Sequence, residues 1–271
     1  MPVQESVPAV LLRQLKARIE GHKVPLNQYL RSSWRFIACG DSHGGSLYDR
    51  HDLQEKMFGV AKKLDIHTIF HTGDLLDGIK VYRGQEYEQD ASGCTAQVKH
   101  VVDTWPENKG TTTYFIGGNH DYSFVRHGGF EPCEAVQAGR PDMRLLGLRI
   151  AIVGVKVSGT PISVALMHPD GGTPYAVSYR PQKIVEQWPG GSKPHILLMG
   201  HFHKAEFLPQ YRNVAVFQTG CLQSQTPSFM LPRGIAAHLG FWIVEVNATK
   251  QGLASVSGRF VSFFEEQAVL A

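Results

Sequence analysis

From residue 34 onward, short apolar runs alternate with polar, glycine-containing turns. The runs are rich in Val, Ile and Phe, and their length is typical of strands buried in a sheet. They are Trp34–Cys39, His67–Phe70, Thr113–Ile116, Arg149–Val155, Ile162–Met167, His195–Met199, Asn213–Phe217 and Phe241–Val246. The pattern therefore predicts a series of buried strands.

Helical patterns separate the first three of these predicted strands. Asp49 can cap a helix whose apolar face is formed by Leu53, Met57, Val60, Ala61 and Leu64. A second such face follows Ser92 and consists of Val98, Val101, Val102 and Trp105. The order β-α-β-α-β predicts a parallel sheet with crossover helices, and the shorter connections further along predict antiparallel additions.

Residues 8–20 mix apolar side chains with Lys and Arg in a pattern acceptable for an amphipathic helix. A further short helix is expected near Gln182–Trp188. We find no internal repeat and no linker rich enough in Pro, Gly and Ser to separate domains. We therefore expect one α/β domain over residues 34–271, with an N-terminal helical extension over residues 1–33 packed on it.

Composition limits the expected location of the protein and the kinds of partner it binds. Hydrophobic residues make up 42% of the 271 residues, and 27 basic against 24 acidic residues give a net charge of +3. This mild charge permits a nucleic-acid partner without indicating one. The four cysteines form no CxxC pair, and no window approaches the roughly 18 apolar residues of a membrane span. With no leader pattern, we expect a cytoplasmic protein without a membrane partner, and its oligomeric state stays open.

Five predicted strands each end in a carboxylate, amide or imidazole, and glycines stand at four of these ends. These side chains are Asp41, His43, Asp74, Asp77, Asn119, His120, His168, His201 and His203. A single Asp or His after a strand is usually an ordinary turn residue, but repeated strand ends of this kind favour a shared crevice. Their oxygen and nitrogen atoms, without thiolates, suit a catalytic site for Mn, Fe, Zn or Ni.

The order and spacing of these residues resemble a known signature. The motifs are Asp41-x-His43, Gly73-Asp74-x-x-Asp77, Gly118-Asn119-His120-Asp121, His168 and Gly200-His201-x-His203. Together they are similar to the full set of the calcineurin-like metallophosphoesterase superfamily. The resemblance implies an αββα sandwich of two mixed β-sheets flanked by helices. It also implies a dinuclear centre with two divalent metal ions. We expect Mn, and Fe, Zn or Ni are the alternatives.

The resemblance further implies a role for each metal-ligating residue. Asp41, His43 and His203 would bind the first ion, and Asn119, His168 and His201 would bind the second. The carboxylate of Asp74 would bridge both ions. Two cations about 3.5–4 Å apart neutralise phosphate charge and lower the pKa of a bridging water, so we expect a metal-bridging hydroxide as nucleophile.

The remaining site residues are expected to act on the substrate or on one another. The resemblance implies that His120 is the acid that protonates the leaving oxygen, or a phosphate contact. Asp121 is placed to orient the His120 imidazole, and Asp77 is expected to steady its turn. Arg126, shortly after this motif, is a candidate for binding the phosphate of the substrate.

Local features favour one class of phosphoester. The loops Gly78–Gly93 and Pro169–Lys193 carry Tyr, Arg and Lys, the mix that stacks bases and contacts phosphates. The stretch Gln218–Thr226 resembles the corresponding part of archaeal family-D DNA polymerase small subunits and related nucleases; alternatively, it simply packs beneath the metal site. We expect a phosphodiesterase or nuclease acting on a nucleotide or nucleic acid. The alternatives are a phosphomonoesterase, such as a protein phosphatase, and a non-enzymatic scaffold.

Overall fold

The computed structural model describes residues 23–30 and 33–264. Two six-stranded sheets form the centre of the fold. In the first sheet, the strands in spatial order are β12 (Gly252–Ser262), β11 (Gly240–Thr249), β2 (Ser33–Cys39), β3 (Thr68–His71), β4 (Thr112–Ile116) and β5 (Met143–Gly147). In the second sheet they are β1 (Lys23–Leu30), β6 (Ile150–Val157), β7 (Thr160–Met167), β8 (Ile196–Met199), β10 (Val214–Thr219) and β9 (Ala205–Tyr211).

Both sheets mix parallel and antiparallel pairs. In the first sheet, β2, β3, β4 and β5 run parallel, and β11 adds antiparallel to β2. In the second, β6 and β7 form an antiparallel hairpin, whereas β7, β8 and β10 run parallel. The helices are α1 (His51–Lys63), α2 (Cys94–Thr104), α3 (Asn119–Gly128), α4 (Pro132–Gly139) and α5 (Tyr179–Gln187).

Alternation along β2 shows how the layers form. Trp34 and Phe36 point into the core between the two sheets, where they meet residues of β6 and β7. Ile37 and Cys39 point to the opposite face and pack on α1. Successive side chains of a strand point to opposite faces, so one strand contributes to both apolar layers. The outer face of the second sheet packs on Val185 of α5, which completes the expected αββα sandwich.

Most of the strands and helices predicted from residue 34 onward are confirmed. Each predicted run overlaps an observed strand, the pairs β2–β3 and β3–β4 are parallel, and β6–β7 is antiparallel. The helix expected after Asp49 begins at His51, and the one expected after Ser92 begins at Cys94. No helix in residues 23–30 and 33–264 is long and apolar enough to cross a membrane.

Other parts differ from expectation. The sequence pattern missed the helices α3 and α4 and the strands β5, β9 and β12. The helix predicted over residues 8–20 lies outside the described residues. Within the predicted extension, Lys23–Leu30 is a strand that pairs with β6. That part of the extension belongs to the second sheet and is not helical.

Candidate metal centre

The candidate ligands gather at one edge of the sandwich, just after the carboxyl ends of strands from both sheets. They follow β2, β3 and β4 in the first sheet and β7 and β8 in the second. The residues are Asp41, His43, Asp74, Asn119, His168, His201 and His203. Because parallel strands end at the same edge of a sheet, residues far apart in sequence meet there.

One cluster contains Asp41, His43 and His203, whose ligand atoms all lie within 4.8 Å of one another. His43 Nε2 lies 3.2 Å from His203 Nε2, and Asp41 Oδ1 lies 3.6 Å from the same nitrogen of His203. Burial, together with the nearby Asp74 carboxylate, raises the pKa of Asp41 to about 7. A carboxylate this deeply buried is stabilised by a cation beside it, so a metal ion fits this cluster.

A second cluster contains Asp74, His168 and His201. His168 Nε2 lies 3.1 Å from Asp74 Oδ2 and 3.0 Å from Asn119 Oδ1. The same Asn119 oxygen lies 2.8 Å from His201 Nδ1. Two imidazoles, an amide oxygen and a carboxylate therefore converge on one point, a donor set that fits a second divalent ion.

Asp74 lies between the two clusters. Its Oδ2 atom is 3.1 Å from His168 Nε2 and 3.9 Å from His43 Nε2, whereas its Oδ1 atom accepts a hydrogen bond from the backbone N–H of His120 at 2.8 Å. One carboxylate oxygen is thus fixed by the backbone, and the other faces both clusters. This position suits a carboxylate that bridges two ions.

Backbone carbonyls and one carboxylate orient the histidine rings by contacting the ring nitrogen that points away from the ligand cluster. His168 Nδ1 lies 2.9 Å from the carbonyl oxygen of Thr72, and His201 Nε2 lies 2.6 Å from that of Gly171. A ring N–H that donates to such an oxygen leaves the other nitrogen free for a metal. His43 Nδ1 lies 3.6 Å from Asp77 Oδ1. Burial opposes the charged ring, but Asp77 and Asp74 outweigh it and raise the pKa of His43 to about 9.

Several ligand residues have a left-handed backbone, which is uncommon outside glycine. The φ angles are 51° at Asp41, 50° at His43, 51° at Asp74, 82° at His201 and 53° at His203. Such conformations cost on the order of 1–3 kcal/mol each and persist where the surrounding structure imposes them. Their concentration in the two clusters is typical of a functional site.

Gly118 explains how closely the chain packs here. A Cβ atom at this position would lie 2.1 Å from Asp74 Oδ1 and 2.4 Å from the Asp74 backbone nitrogen. Every side chain is therefore excluded at residue 118. The close approach lets α3 begin directly against Asp74, with Asn119 and His120 in its first turn.

His120 lies beside both clusters and lines the adjoining cavity. Its Nδ1 atom contacts the carbonyl oxygen of Asp77, so its Nε2 atom is the nitrogen free to act. Its ring packs edge-on against that of His43, with centroids 4.4 Å apart. Burial lowers the pKa of His120 despite the opposing charges of Asp74 and Asp77. One ligand atom of His120 also lies within 4.8 Å of those of His43 and Asp74.

Asp121 does not have the role that we expected. Its carboxylate accepts hydrogen bonds from the backbone N–H groups of Gly118, Leu75 and Leu76, at 2.7, 3.2 and 2.8 Å. It therefore ties the turn after β3 to the start of α3. The His120 imidazole is oriented by the carbonyl of Asp77 instead.

Asp77 does steady its turn, as expected, and has a second role. Its Oδ2 atom accepts hydrogen bonds from the side-chain amides of Gln85 and Gln89, at 3.1 and 2.8 Å. Its other oxygen faces His43, and its carbonyl faces His120. Asp77 thus positions two of the rings around the site.

Arg126 is not part of the cavity beside the clusters. It is exposed on α3, and its guanidinium lies 5.9 Å from the centroid of the Tyr122 ring. The cavity instead contains Arg233, from the segment between β10 and β11. The sequence carried no motif that pointed to this arginine.

The cavity has a volume of about 480 Å³ and combines ligand residues with aromatic and apolar side chains. Besides the ligand residues, it is lined by Val81, Tyr82, Gly171, Gly172, Thr173, Phe202, Gln223, Thr226, Phe229, Met230, Arg233 and Ile235. Tyr82 and the residues 171–173 come from the two loops singled out in the sequence. Tyr175 and Tyr179 of the second loop are exposed and do not line the cavity.

The stretch Gln218–Thr226 lies beneath and beside the clusters. The Thr219 hydroxyl lies 2.8 Å from that of Thr72, in the turn that precedes Asp74. Gln223 and Thr226 reach the cavity itself. This placement agrees with the packing alternative considered for the stretch and adds two lining residues to it.

Comparison with known proteins finds a family match. The family model of the calcineurin-like phosphoesterases matches residues 35–205, a range that includes both clusters. No curated protein sequence matches the chain.

Solved structures match much of this chain at low sequence identity. GAP50, the anchor in the inner membrane complex of Plasmodium, is 13% identical, with 85% of each chain covered and a TM-score of 0.50. The E. coli phosphoesterase YfcE is 12% identical over 82% of this chain and 98% of its own, with a TM-score of 0.42. Zinc-complexed Vps29 from Entamoeba histolytica is 13% identical over 85% and 99%, with a TM-score of 0.38.

Proposed function

Because this chain belongs to the calcineurin-like phosphoesterase family, we propose that it is a metal-dependent phosphodiesterase. The supporting observation is the scarcity of fixed positive charge around the cavity. Among the described residues that line it, Arg233 is the only Lys or Arg. A phosphomonoester carries about two negative charges near neutral pH, and additional guanidinium or ammonium groups suit its recognition.

The rest of the lining suits a diester. A phosphodiester carries one negative charge and two organic substituents, so it needs apolar surface on either side of the phosphate. Phe202, Met230 and Ile235 supply such surface next to the metal-ligating residues. Binding sites for small organic molecules combine a largely apolar lining with a few fixed polar groups in the same way.

Metal ions bound in the two ligand clusters would supply the electrostatic part of catalysis. When two divalent ions are bound, they neutralise the phosphate charge and lower the pKa of water, which makes it nucleophilic. Asp41, His43 and His203 would hold one ion, and Asn119, His168 and His201 would hold the other, with Asp74 shared. We assign Mn²⁺ first, with Fe, Zn and Ni as alternatives for the same ligand set.

His120 would protonate the leaving oxygen. The contact between its Nδ1 atom and the Asp77 carbonyl leaves Nε2 to carry the proton toward the cavity. Burial lowers the pKa of His120, so the protonated ring gives up its proton readily. General acids of this kind accelerate reactions by roughly 10²–10⁴-fold.

A pair of chromogenic substrates tests the proposal. The full chain is loaded with Mn²⁺, and kcat/KM is measured for bis(p-nitrophenyl) phosphate and for p-nitrophenyl phosphate. We expect the diester to be preferred, and a preference for the monoester would overturn the proposal. No turnover of either substrate by protein with bound metal would support a scaffold instead.

The same assay extends to polymers. A cavity of about 480 Å³ lies within the roughly 300–1,000 Å³ of sites for small molecules, so we propose nucleotide-sized diesters rather than long strands. Turnover of single-stranded DNA or RNA that exceeds turnover of small diesters would instead indicate a nuclease.

A further inference from the structure

We propose that Tyr82, Phe229 and Arg233 form an aromatic wall that binds a nucleobase, so that the substrates are nucleotide diesters. This inference rests on the proposed function, because it assigns the substituent of the diester. Tyr82 belongs to the loop after β3, whereas Phe229 and Arg233 belong to the segment between β10 and β11. All three line the cavity that contains His43, His120 and Asn119.

The aromatic wall consists of planar groups in contact with one another. The ring centroids of Tyr82 and Phe229 are 5.1 Å apart, with an angle of 36° between the planes. The Arg233 guanidinium lies over the Phe229 ring, with Cζ 4.2 Å from its centroid. The Tyr82 centroid is also 6.4 Å from that of His120. The wall therefore begins beside His120, the proposed general acid.

A buried carboxylate holds the two sides of the aromatic wall together. Glu88 is only 4% exposed. Its Oε2 atom accepts a hydrogen bond from the Tyr82 hydroxyl at 2.9 Å, and its Oε1 atom accepts one from the backbone N–H of Ser228 at 2.7 Å. Arg233 also donates to the Phe229 carbonyl at 3.0 Å. The wall is thus formed before any ligand arrives, which lowers the entropic cost of binding.

Core packing does not account for these side chains. Neither Tyr82 nor Phe229 belongs to the apolar clusters that the described residues form in the core, and Arg233 is exposed. Aromatic rings and guanidinium planes beside a phosphate-binding site are the groups on which bases stack. Every base presents a flat π face, so this surface selects for a nucleobase without selecting among bases.

Direct binding measurements test the aromatic wall. Adenosine monophosphate and ribose 5-phosphate carry the same phosphate on ribose, but only the first has a base. Their dissociation constants are measured by calorimetry on the Mn²⁺-loaded full chain. We expect the adenosine compound to bind about 5- to 100-fold more tightly, which is the range of base–aromatic stacking.

Matched variants test which side chains cause the preference for a compound with a base. Phe229→Leu keeps an apolar side chain but removes the flat ring, and Tyr82→Ala removes the other ring. Each should reduce the ratio of the two dissociation constants severalfold. Tyr87→Ala is the control, because Tyr87 lies in the same loop as Tyr82, is 81% exposed and does not line the cavity. The ratio of the two dissociation constants for Tyr87→Ala should equal that of the unaltered chain. Thermal melting and metal analysis verify that each variant is folded and loaded with metal.

The outcomes separate this inference from the proposed function. Equal affinity for the two compounds, or no binding of either, overturns the aromatic wall even when the chain hydrolyses diesters. A base preference that Phe229→Leu leaves unchanged also overturns it. A preference that is lost in both wall variants supports it, and it stands even if no diester is hydrolysed. In that case the proposed function alone fails.

Discussion

The two clusters of candidate metal ligands and the aromatic wall face the same cavity but are built differently. The ligand residues follow strand ends, and Asp41, His43, Asp74 and His168 are almost fully buried. The wall is carried by loops, its members are half-buried or exposed, and Glu88 joins its two sides. A site fixed by two sheets tolerates little change, whereas a wall on loops can vary without disturbing it. We therefore expect chemistry to depend on the clusters and substrate choice on the wall.

The largest expected effect comes from Asp74→Asn. An amide in place of the carboxylate removes the negative charge shared between the two clusters, and like-charged ions then repel one another without compensation. We expect most bound metal to be lost and kcat/KM to fall to background. Elemental analysis and the diester assay measure both. The variant should not retain two ions per chain; if it does, Asp74 is not the bridge.

Asp65→Asn is the matched control for this change. Asp65 also has a left-handed backbone, with φ of 54°, but its side chain is exposed beside His67. The same substitution should therefore leave metal content and kcat/KM unchanged. Comparable losses in the two variants would point to a general effect on the fold.

The next effect is expected for His120→Asn. The two clusters keep their ligands, so metal content should be unchanged while kcat falls by roughly 10²–10⁴-fold. The acid must be protonated, so kcat of the unaltered chain should decrease as pH rises through the pKa of His120. His120→Asn should lack this alkaline decrease.

His127→Asn is the control, because His127 is exposed on the same helix. Its metal content and kcat should match those of the unaltered chain. Loss of metal in His120→Asn would make His120 a ligand.

A smaller effect, on stability, is expected for Asp121→Asn. The carboxylate accepts three backbone hydrogen bonds, and an amide places N–H groups where acceptors are needed. An unsatisfied buried group costs about 1–3 kcal/mol, so the free energy of unfolding should decrease by that amount in urea denaturation. The folded variant should lose less kcat than His120→Asn. A loss as large as that of His120→Asn would restore the orienting role expected from the sequence.

The smallest effect is expected for Glu88→Ala, which releases both sides of the aromatic wall. The ratio of dissociation constants for adenosine monophosphate and ribose 5-phosphate should decrease a few-fold, with metal content unchanged. Glu86→Ala is the control, since Glu86 is exposed in the same loop. Loss of metal in Glu88→Ala would contradict the separation between wall and clusters.

The two clusters of candidate ligands could be predicted because their sequence signals are local. Each ligand follows an apolar strand within a few residues, most of the ligands stand beside a glycine, and parallel strands bring their ends together. The sequence could not show that Asp121 turns away from His120. Successive residues of a helix point about 100° apart, so the first residues of α3 face different neighbours. Asn119 faces the clusters, His120 the cavity, and Asp121 the backbone of the turn after β3.

The residues that line the cavity beside the clusters were harder to predict. Arg126 lies about 10 Å along α3 from Asn119 at 1.5 Å per residue, which takes it away from the clusters. Arg233 and Phe229 reach the cavity only because β10 and β11 belong to different sheets and the segment between them crosses the site. No periodicity marks such a segment. In the same way, Lys23–Leu30 is a strand because β6 offers an edge to pair with, a partner more than a hundred residues away.

Anomalous diffraction from crystals of the Mn²⁺-loaded chain, recorded at the manganese absorption edge, shows directly whether the two clusters bind metal ions. We expect two peaks, one among Asp41, His43 and His203 and the other among Asn119, His168 and His201, on either side of Asp74 Oδ2. A single peak, or peaks outside these clusters, would contradict this expectation.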